Sequence, residues 1–250
     1  MVSDEIREEG RAMKADSNAF INVLKEIDAL SVKEVAIRPE DGGINIYAID
    51  PSNVSIVSAR IKPEAFPEGC DLEEETVLSI PFMLDALIKD EMCDMSIGDG
   101  KIVLKYKKSK RTHRLIAAED APRPVPNLEL PNTCVLMSDD VVALMKMSCF
   151  QTIQTESGGI TVRLTSTGMV FEALSDVESA EMTAEGTTEL EDGEIQATFG
   201  MKVIAPLLKA LPKGTLISVH MDTDMPVKIT IDEETYSMDI YSAPFITEDE

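Results

Sequence analysis

Few residues of this 250-residue chain have types and spacings that suit catalysis. The two histidines, His113 and His220, lie far apart in strand-like stretches and have no local partner motif, which favours structural or surface roles over a base or a metal ligand. The sequence contains no glycine-rich phosphate loop, no His-Glu-x-x-His zinc motif and no Gly-x-Ser-x-Gly nucleophile turn. It therefore offers no positive sign of an enzyme.

Two acidic pairs are the best candidates for binding Mg²⁺ through carboxylate oxygens. Asp139 and Asp140 follow Ser138, where acidic residues favour a helix N-terminus, so a structural role is sufficient for them. Asp222 and Asp224 are typical of a turn between strands. An acidic metal-dependent hydrolase that uses such paired carboxylates stays an alternative.

The cysteines, Cys70, Cys93, Cys134 and Cys149, are scattered and form no Cys-x-x-Cys pair. This spacing argues against a zinc site and favours buried thiols in a reducing compartment. We predict no cofactor and no metal. No apolar run approaches the roughly 18 residues of a membrane span, and the acidic N-terminus lacks a signal-peptide core. These features predict a soluble intracellular protein without a membrane partner.

The formal net charge of −23 excludes a protein that binds nucleic acid through a generally basic surface. The charge is nevertheless unevenly distributed. Residues 101–116 hold seven basic residues and no acidic one, whereas residues 164–201 hold neither Lys nor Arg. Any contact with DNA must therefore use a local patch or the shape of the protein.

Two segments with opposite charge alternate like edge strands, basic residues 110–116 and acidic residues 176–183. Complementary edges on one chain predict head-to-tail association, which closes into a ring when the rotation allows it. The alternative is two solvated faces whose charges prevent aggregation.

An internal repeat positions these elements. Phe20, Val23, Leu24 and Ile27 have the spacing of one buried helix face, with Ser17 as its predicted N-cap. The same pattern returns about 120 residues later, and a fixed offset indicates a duplicated unit. The matching positions of the second copy are Val141, Leu144, Met145 and Ser148, with Ser138 as the cap.

A second helix pair repeats at nearly the same offset, with Leu84, Leu87, Ile88 and Lys89 matching Ile204, Leu207, Leu208 and Lys209. A glycine turn and alternating strands follow each first helix, at residues 42–49 and 158–164. Strands greatly outnumber helices, so we predict an α+β fold with helices on one face of antiparallel sheets. Four prolines within residues 117–132 indicate an extended connection between two halves.

Five segments, in order along nearly the whole chain, match a known family. Ala48–Val57 resembles the segment A-M-D-P-S-N-V-S-M-V of DNA sliding clamps of the proliferating-cell-nuclear-antigen (PCNA) type, close to archaeal forms. Val125–Leu128 resembles the L-P-E-L of that family's connecting loop, and Phe199–Ile204 resembles its Y-S-V-K-Y-L. Asp224–Ile229 resembles E-M-P-L-K-I, and Ser242–Pro244 resembles L-A-P.

The resemblance implies a DNA-clamp fold with two similar domains, each with antiparallel sheets and two short helices that line a trimeric ring. It places an N-terminal clamp domain at 1–117, the connecting loop at 118–132 and a C-terminal clamp domain at 133–250. It also implies that a strand before the loop pairs with a strand of the neighbour's second domain. The residues expected at this subunit interface are Lys110, Arg111, His113, Arg114, Asp176, Glu178 and Glu181.

The function that the resemblance implies is that of a DNA polymerase sliding clamp, a non-enzymatic processivity factor for replication and repair. Duplex DNA would be encircled without sequence readout, facing Lys25, Lys89, Lys146, Lys202 and Lys209. Partners would be a second and third copy of the chain, DNA polymerase, an ATP-driven clamp loader and other proteins with clamp-binding peptides. Such a protein is expected in the cytoplasm with the nucleoid, or in the nucleus of a eukaryote.

The resemblance further implies an outer pocket that takes a short peptide carrying two aromatic anchors. By matched position the pocket is formed by Ile49, Val54, Ile56, Val125, Leu128, Pro226, Tyr241, Ala243 and Pro244. Any of these residues could instead be an ordinary residue of the hydrophobic core.

Several positions depart from the family pattern. Phe245 stands where a Lys or Arg usually follows the Ala-Pro pair, which puts that polar contact with the peptide in doubt. Asp85 stands where a basic or neutral lumen residue is usual, and Ala86 and Ala143 replace expected lysine or arginine sites. We therefore expect weak direct affinity for DNA. A subunit of a specialised heteromeric clamp is a further alternative to a homotrimer.

Overall fold

The computed structural model describes residues 12–115, 128–147, 158–174, 179–191 and 193–245. These residues divide into two compact units. The first comprises the described parts of Met1–Ala48, Ser58–Arg123 and Glu233–Ser237. The second comprises those of Ile49–Val57, Pro124–Asp232 and Met238–Glu250.

Among the residues that the structure describes, the first half of the chain forms eight strands and two α-helices. In chain order these are β1 (Met13–Asp16), α1 (Ser17–Ala29), β2 (Glu34–Glu40), β3 (Gly43–Ile49), β4 (Ser55–Ile61), β5 (Thr76–Ser79), α2 (Ile80–Ala86), β6 (Met92–Gly98), β7 (Lys101–Tyr106) and β8 (Ser109–Arg114). A short 3-10 turn, Pro63–Ala65, follows β4. One antiparallel sheet has the order β1-β6-β7-β8, and β4, β3, β2 and β5 are neighbours in that order in another.

The second half repeats this plan. Its elements are β9 (Asn132–Met137), α3 (Ser138–Met145), β10 (Gly159–Thr165), β11 (Gly168–Leu174), β12 (Ser179–Glu185), β13 (Thr187–Glu189), β14 (Ile195–Gly200), α4 (Met201–Ala210), β15 (Leu216–Met221), β16 (Val227–Asp232) and β17 (Tyr236–Ser242). One sheet has the order β12-β11-β10-β14, and β13, β9, β15, β16 and β17 are neighbours in that order in another. The α+β class predicted from the sequence is confirmed.

The predicted duplication is visible in the helix positions. Ser17 and Ser138 begin α1 and α3, Ile80 and Met201 begin α2 and α4, and both pairs are 121 residues apart. Each helix follows directly on a strand. The domain boundaries at 117 and 133 stay a prediction, since residues 116–127 lie outside the described part of the chain.

The core of each unit lies between its sheets and helices. In α1 the predicted stripe is buried, with Phe20, Leu24 and Ile27 fully inaccessible to solvent. Phe171 and Phe199 play the same part in the second unit. Burial of this apolar area is the main favourable contribution to folding.

The predicted N-caps are wrong by one residue. Asp16 caps α1, and its Oδ1 accepts from the Asn18 amide at 2.9 Å. Ser17 is the first helical residue, and its hydroxyl lies 3.0 Å from Tyr106 Oη. Ser138 likewise begins α3 and donates to the Pro212 carbonyl at 2.6 Å. Both serines are fully buried. Their hydroxyls connect the start of α1 to Tyr106 at the end of β7, and the start of α3 to Pro212 shortly after α4.

The predicted register of α2 is also wrong at its C-terminal end. The helix ends at Ala86, and Leu87 is extended, so Ile88 and Lys89 lie beyond it. The chain turns away here because Tyr106 Oη accepts from the Ile88 amide at 2.8 Å and Asn18 Oδ1 accepts from the Asp90 amide at 3.0 Å. Its counterpart α4 continues to Ala210 and includes Lys209.

Candidate functional site

Three of the predicted pocket residues form one row across neighbouring strands of the second unit. The Asp50 amide donates to the Ser55 carbonyl at 3.0 Å, a register that sets Ile49 opposite Ile56. The Ala243 amide donates to the Val54 carbonyl at 2.9 Å, a register that sets Ile56 opposite Tyr241. Ile49, Ile56 and Tyr241 therefore share one face of the sheet.

A second row lies beside the first. Val54 is opposite Ala243. The Glu233 amide donates to the Tyr236 carbonyl at 2.9 Å, and the same antiparallel count from this pair sets Ala243 opposite Pro226. Because side chains alternate between faces along a strand, this row is on the same face as Ile56 and Tyr241. Tyr241 is 7% exposed, whereas the residues of the second row are half-buried. The two rows together make an apolar surface of six side chains.

The remaining predicted pocket residues are placed less closely. Leu128 is half-buried ahead of β9, and Pro244 is half-buried just after β17. Val125 lies outside the described residues.

Asp50 holds the loop between β3 and β4 in shape. Its carboxylate accepts from the amides of Val54 at 2.7 Å and Ser55 at 2.6 Å through Oδ1, and from the Ser52 amide at 3.0 Å through Oδ2. Burial raises the pKa of Asp50, but the bonds from Ser52, Ser55 and Val54 outweigh burial and lower it overall. The carboxylate therefore stays ionised and fixes Val54 in its row.

A polar network borders the apolar surface, and the sequence interpretation missed it. Lys228 Nζ lies 3.1 Å from Asp239 Oδ2 and 5.6 Å from the centroid of the Tyr241 ring. Thr230 donates to Asp239 Oδ1 at 2.8 Å. His220, opposite Lys228, is 3.0 Å from Thr133 Oγ1 through Nδ1. Alternation along β15, β16 and β17 was the available signal, since each of these polar side chains is directly preceded and followed in sequence by a buried apolar residue.

The network shifts the pKa values of its members in different directions. Burial lowers the pKa of Lys228, but its bond to Asp239 raises it overall. Burial and the charge of Lys228 lower the pKa of His220, so this histidine is kept neutral. Burial and the charge of Asp239 raise the pKa of Tyr241, which keeps its hydroxyl protonated.

The predicted basic edge is β8, an outer strand of its sheet. Its residues divide between two faces. Arg111 Nη2 is 2.5 Å from Asp85 Oδ2 on α2, and the His113 ring stacks on Phe82 with centroids 4.6 Å apart. Lys110 alternates with these and is paired across the strands with Lys105.

Like charges also face each other at the end of this strand, where Arg114 is opposite Lys101. Directly opposed like charges destabilise a sheet unless an anion lies nearby. The outer strand β8 therefore concentrates positive charge at one edge of its sheet.

The predicted acidic edge is β12, an outer strand of the other four-stranded sheet. Glu181 is opposite Glu172 across the strands, and Arg163 lies between them. Arg163 Nη2 is 3.3 Å from Glu181 and also contacts Glu172, while Nη1 is 2.5 Å from Glu194. Asp176 and Glu178 lie outside the described residues.

The predicted DNA-facing lysines lie on or beside the helices of their own units. Lys25 is exposed on α1, Lys202 is exposed on α4 and Lys209 is half-buried on α4. Lys146 is exposed directly after α3, and Lys89 is exposed in the turn after α2. The structure thus places each of them near a helix, although Lys89 is not in one.

The metal alternative gains no structural support. Within the described ranges, no group of three or more His, Cys, Asp or Glu side chains is placed to hold a metal ion. Asp222 Oδ1 accepts from the Thr223 amide at 2.7 Å, as in a turn. Cys70, Cys93 and Cys134 are free thiols, and Cys149 is outside the described residues. No helix among those described is long and apolar enough to cross a membrane.

Comparison with known proteins gives a consistent result. A DNA polymerase sliding clamp from Methanococcoides burtonii is 29% identical over 231 residues, which cover 86% of this chain and 90% of that protein. The DNA polymerase sliding clamp of Archaeoglobus fulgidus is 25% identical over 221 residues, which cover 84% of this chain and 87% of that protein. No family model matches the chain.

Solved structures share the fold. A. fulgidus PCNA bound to the C-terminal region of FEN-1 superposes with a TM-score of 0.80 at 21% identity, over 95% of this chain and 99% of that one. PCNA from Entamoeba histolytica superposes with a TM-score of 0.81 at 20% identity, over 94% and 99%. The resemblance to archaeal PCNA-type clamps predicted from the sequence is confirmed, and so is the clamp fold.

Proposed function

We propose that this chain, a relative of the archaeal DNA polymerase sliding clamps with the fold of PCNA, is itself a DNA polymerase sliding clamp. Three copies close head to tail into a ring that encircles duplex DNA and tethers replication and repair proteins to it. The names of the curated relatives support this function and give no support to the hydrolase alternative.

The observation that carries the proposal is the pair of oppositely charged open edges, β8 and β12. Unpaired edge strands are exposed to association with another chain, and pairing them with a neighbour covers both. Lys110 and Arg114 on β8 suit the acidic residues Glu181 and Glu185 on β12. Each copy offers one edge of each kind, so the contact is heterologous and closes into a ring when the rotation allows.

The internal repeat supports the same pairing. In the internal repeat, β17 occupies the position in the second half that β8 occupies in the first half. Likewise, β4 occupies the position in the first half that β12 occupies in the second half. Inside the second unit, Ala243, directly after β17, donates a backbone hydrogen bond to Val54, directly before β4. A contact between β8 and β12 of two copies repeats a pairing that this chain already makes.

DNA is held by enclosure more than by affinity. With a net charge of −23, most of the protein surface repels phosphate. Lys25, Lys89, Lys146, Lys202 and Lys209 supply the inward positive charge, which offsets the phosphate field without reading bases. Such contacts let the ring slide.

Partner proteins bind the apolar surface formed by Ile49, Ile56, Tyr241, Val54, Ala243 and Pro226. DNA polymerase, the clamp loader and repair proteins would each insert a short peptide with two aromatic anchors there, because apolar pockets that take aromatic side chains concentrate binding energy. The protein would act without catalysis and without a cofactor, wherever chromosomal DNA lies, in the cytoplasm of a prokaryote or the nucleus of a eukaryote.

The first experiment is the mass in solution by light scattering at low and high salt. Three copies of 27.4 kDa give about 82 kDa. A clean monomer at every concentration overturns the homotrimer. If a second clamp subunit then restores a ring, the chain is a heteromeric clamp subunit.

The second experiment tests topological binding. The ring, loaded on a nicked circular duplex by a clamp loader, is expected to stay bound in high salt and to be released when the circle is cut. Release that is independent of cutting contradicts enclosure. Mg²⁺-dependent hydrolysis that is abolished on changing Asp222 or Asp224 would favour the hydrolase instead.

A further inference from the structure

Two exposed apolar side chains lie at the border of the partner-binding surface. Phe245 is 60% exposed and Met225 is 38% exposed. Met225 directly precedes Pro226, and Phe245 follows Pro244. Large apolar side chains exposed next to a binding surface mark a place where further apolar area is buried on binding.

Backbone hydrogen bonds anchor Phe245 and the turn that contains Met225 to one strand. The Phe245 amide donates to the Thr198 carbonyl at 2.6 Å, and the Asp224 amide donates to the Gln196 carbonyl at 3.1 Å. Thr198 and Gln196 are two residues apart on β14, an outer strand of its sheet. Their carbonyls point to the same open edge, with a spacing of about 7 Å along the strand. Phe245 and Asp224, the residue before Met225, are therefore anchored at neighbouring points of that edge.

Charge near this pair argues against an acidic ligand. The chain segments that build it, residues 194–200, 222–226 and 242–245, contain no Lys or Arg. The nearest cations in sequence are Lys202 and Lys228, and Lys228 is paired with Asp239 at 3.1 Å. Asp222 and Asp224 flank the same turn, so a carboxylate brought here would meet like charge.

We propose that Phe245 and Met225 form an apolar shelf continuous with the pocket, which selects partner peptides that carry an apolar side chain next to their aromatic anchors. The shelf rests on the proposed function, because the peptide must first occupy the pocket. The shelf determines specificity, whereas the anchors in the pocket supply most of the affinity.

The test is fluorescence anisotropy with the full-length protein and labelled synthetic peptides. All peptides carry the same two aromatic anchors, and each flanking position is Leu, Ser, Glu or Lys in turn. At one flanking position, the Leu peptide is expected to bind about five- to tenfold more tightly than the Ser peptide, with the Glu peptide weakest. The Leu preference is expected to persist at high salt, since it is not electrostatic.

The variants separate the shelf from the pocket. Phe245→Ala is expected to reduce the Leu preference to less than twofold and to leave binding of the Ser peptide unchanged, and Met225→Ala is expected to reduce it in part. Leu216→Ala is the matched control, because Leu216 is 62% exposed at the far end of the same face of the second unit. The control is expected to change nothing.

Each contrary result has a distinct meaning. If all peptides bind tightly without a preference for Leu, the proposed shelf is wrong but the proposed pocket is not. The same conclusion follows if Phe245→Ala leaves the preference for Leu unchanged. A Lys peptide that binds best in both the wild type and Phe245→Ala overturns it in favour of the charges of Asp222 and Asp224. If peptides with both anchors changed to Ala bind as well as the originals, the proposed pocket itself is wrong.

Discussion

The amide of Ala243 donates a hydrogen bond to the carbonyl of Val54 at 2.9 Å and joins the end of β17 to the loop that precedes β4. This bond places two segments that are distant in sequence in one cross-strand row. It also explains why the conformation of residues 50–55 matters to the partner-binding surface. The Asp50 carboxylate sets that conformation.

Replacing Asp50 with Ala is expected to destabilise the protein by about 2–3 kcal/mol, because three backbone amides lose a charged acceptor. Peptide affinity should fall as well, since Val54 leaves its row. Denaturant unfolding and peptide titration measure the two effects. Ser52→Ala removes one donor to the same carboxylate and should cost less. Equal stability of Asp50→Ala and the wild type would show that the loop is held by other contacts.

The contribution of Asp50 depends on pH in a defined direction. Its pKa is lowered in the folded state, so its stabilisation is fully present above the unfolded pKa of about 4. This stabilisation disappears as the pH falls through the folded pKa. The stability difference between the wild type and Asp50→Asn should therefore shrink below pH of about 4.

Glu26 should have the opposite pH dependence. It is fully buried on α1, its carboxylate oxygens have no hydrogen-bond partner among the described residues, and burial raises its pKa well above the ordinary value. Between the unfolded pKa and the raised folded pKa, only the unfolded state releases the proton. Stability therefore falls as the pH rises through that window.

Glu26→Gln is accordingly expected to stabilise the protein at neutral pH, by at least about 1 kcal/mol, and to flatten its pH profile. Thermal unfolding measured from pH 4 to pH 8 tests both expectations, because this range begins near the unfolded pKa of Glu, about 4.3, and extends well above it. Asp28→Asn is the control, because Asp28 is on the same helix but paired with Lys33 at 2.9 Å. A Glu26→Gln protein that loses stability equally at every pH would contradict the account.

Charge reversal on β8 tests the ring contact. The double variant Lys110→Glu, Arg114→Glu is expected to be monomeric at concentrations where the wild type is trimeric, because like charges would then face Glu181 and Glu185. Adding Glu181→Lys and Glu185→Lys to the same chain should restore the trimer. Light scattering reports both results, with Lys213→Glu, an exposed change elsewhere, as the control. If the quadruple variant is folded but does not form a trimer, the contact between copies lies elsewhere.

The helix lysines should govern contact with DNA without governing assembly. Lys25→Glu combined with Lys202→Glu is expected to leave the trimer intact and to slow loading onto circular DNA. Binding to short linear duplex should be weak in the wild type, and its salt slope should become shallower by about one unit for each phosphate that the variant no longer neutralises. Lys107→Glu, in the turn between β7 and β8, is the control. Tight, salt-insensitive binding of the wild type to short linear duplex would contradict enclosure as the mechanism.

Local patterns in the sequence determined the helices and the class of fold. The spacing of Phe20, Leu24 and Ile27 depends only on the helical repeat, so their burial could be predicted without any neighbour. The offset between α1 and α3 follows from the duplication. The end of α2 could not be predicted in this way, because a distant hydroxyl, Tyr106 Oη, holds the Ile88 amide and draws the chain out of the helix.

The sequence alone determined an acidic α+β protein of two similar halves, with a basic and an acidic edge segment and with motifs that resemble PCNA-type clamps. Tertiary structure alone decided that Ile49, Ile56 and Tyr241 share a row, that Lys228 is paired with Asp239, and that Phe245 and Asp224 are both hydrogen-bonded to β14. Each of these relationships depends on strand register, and register is a non-local property. It is set when many side chains and backbone groups are satisfied at once, so no short segment encodes it.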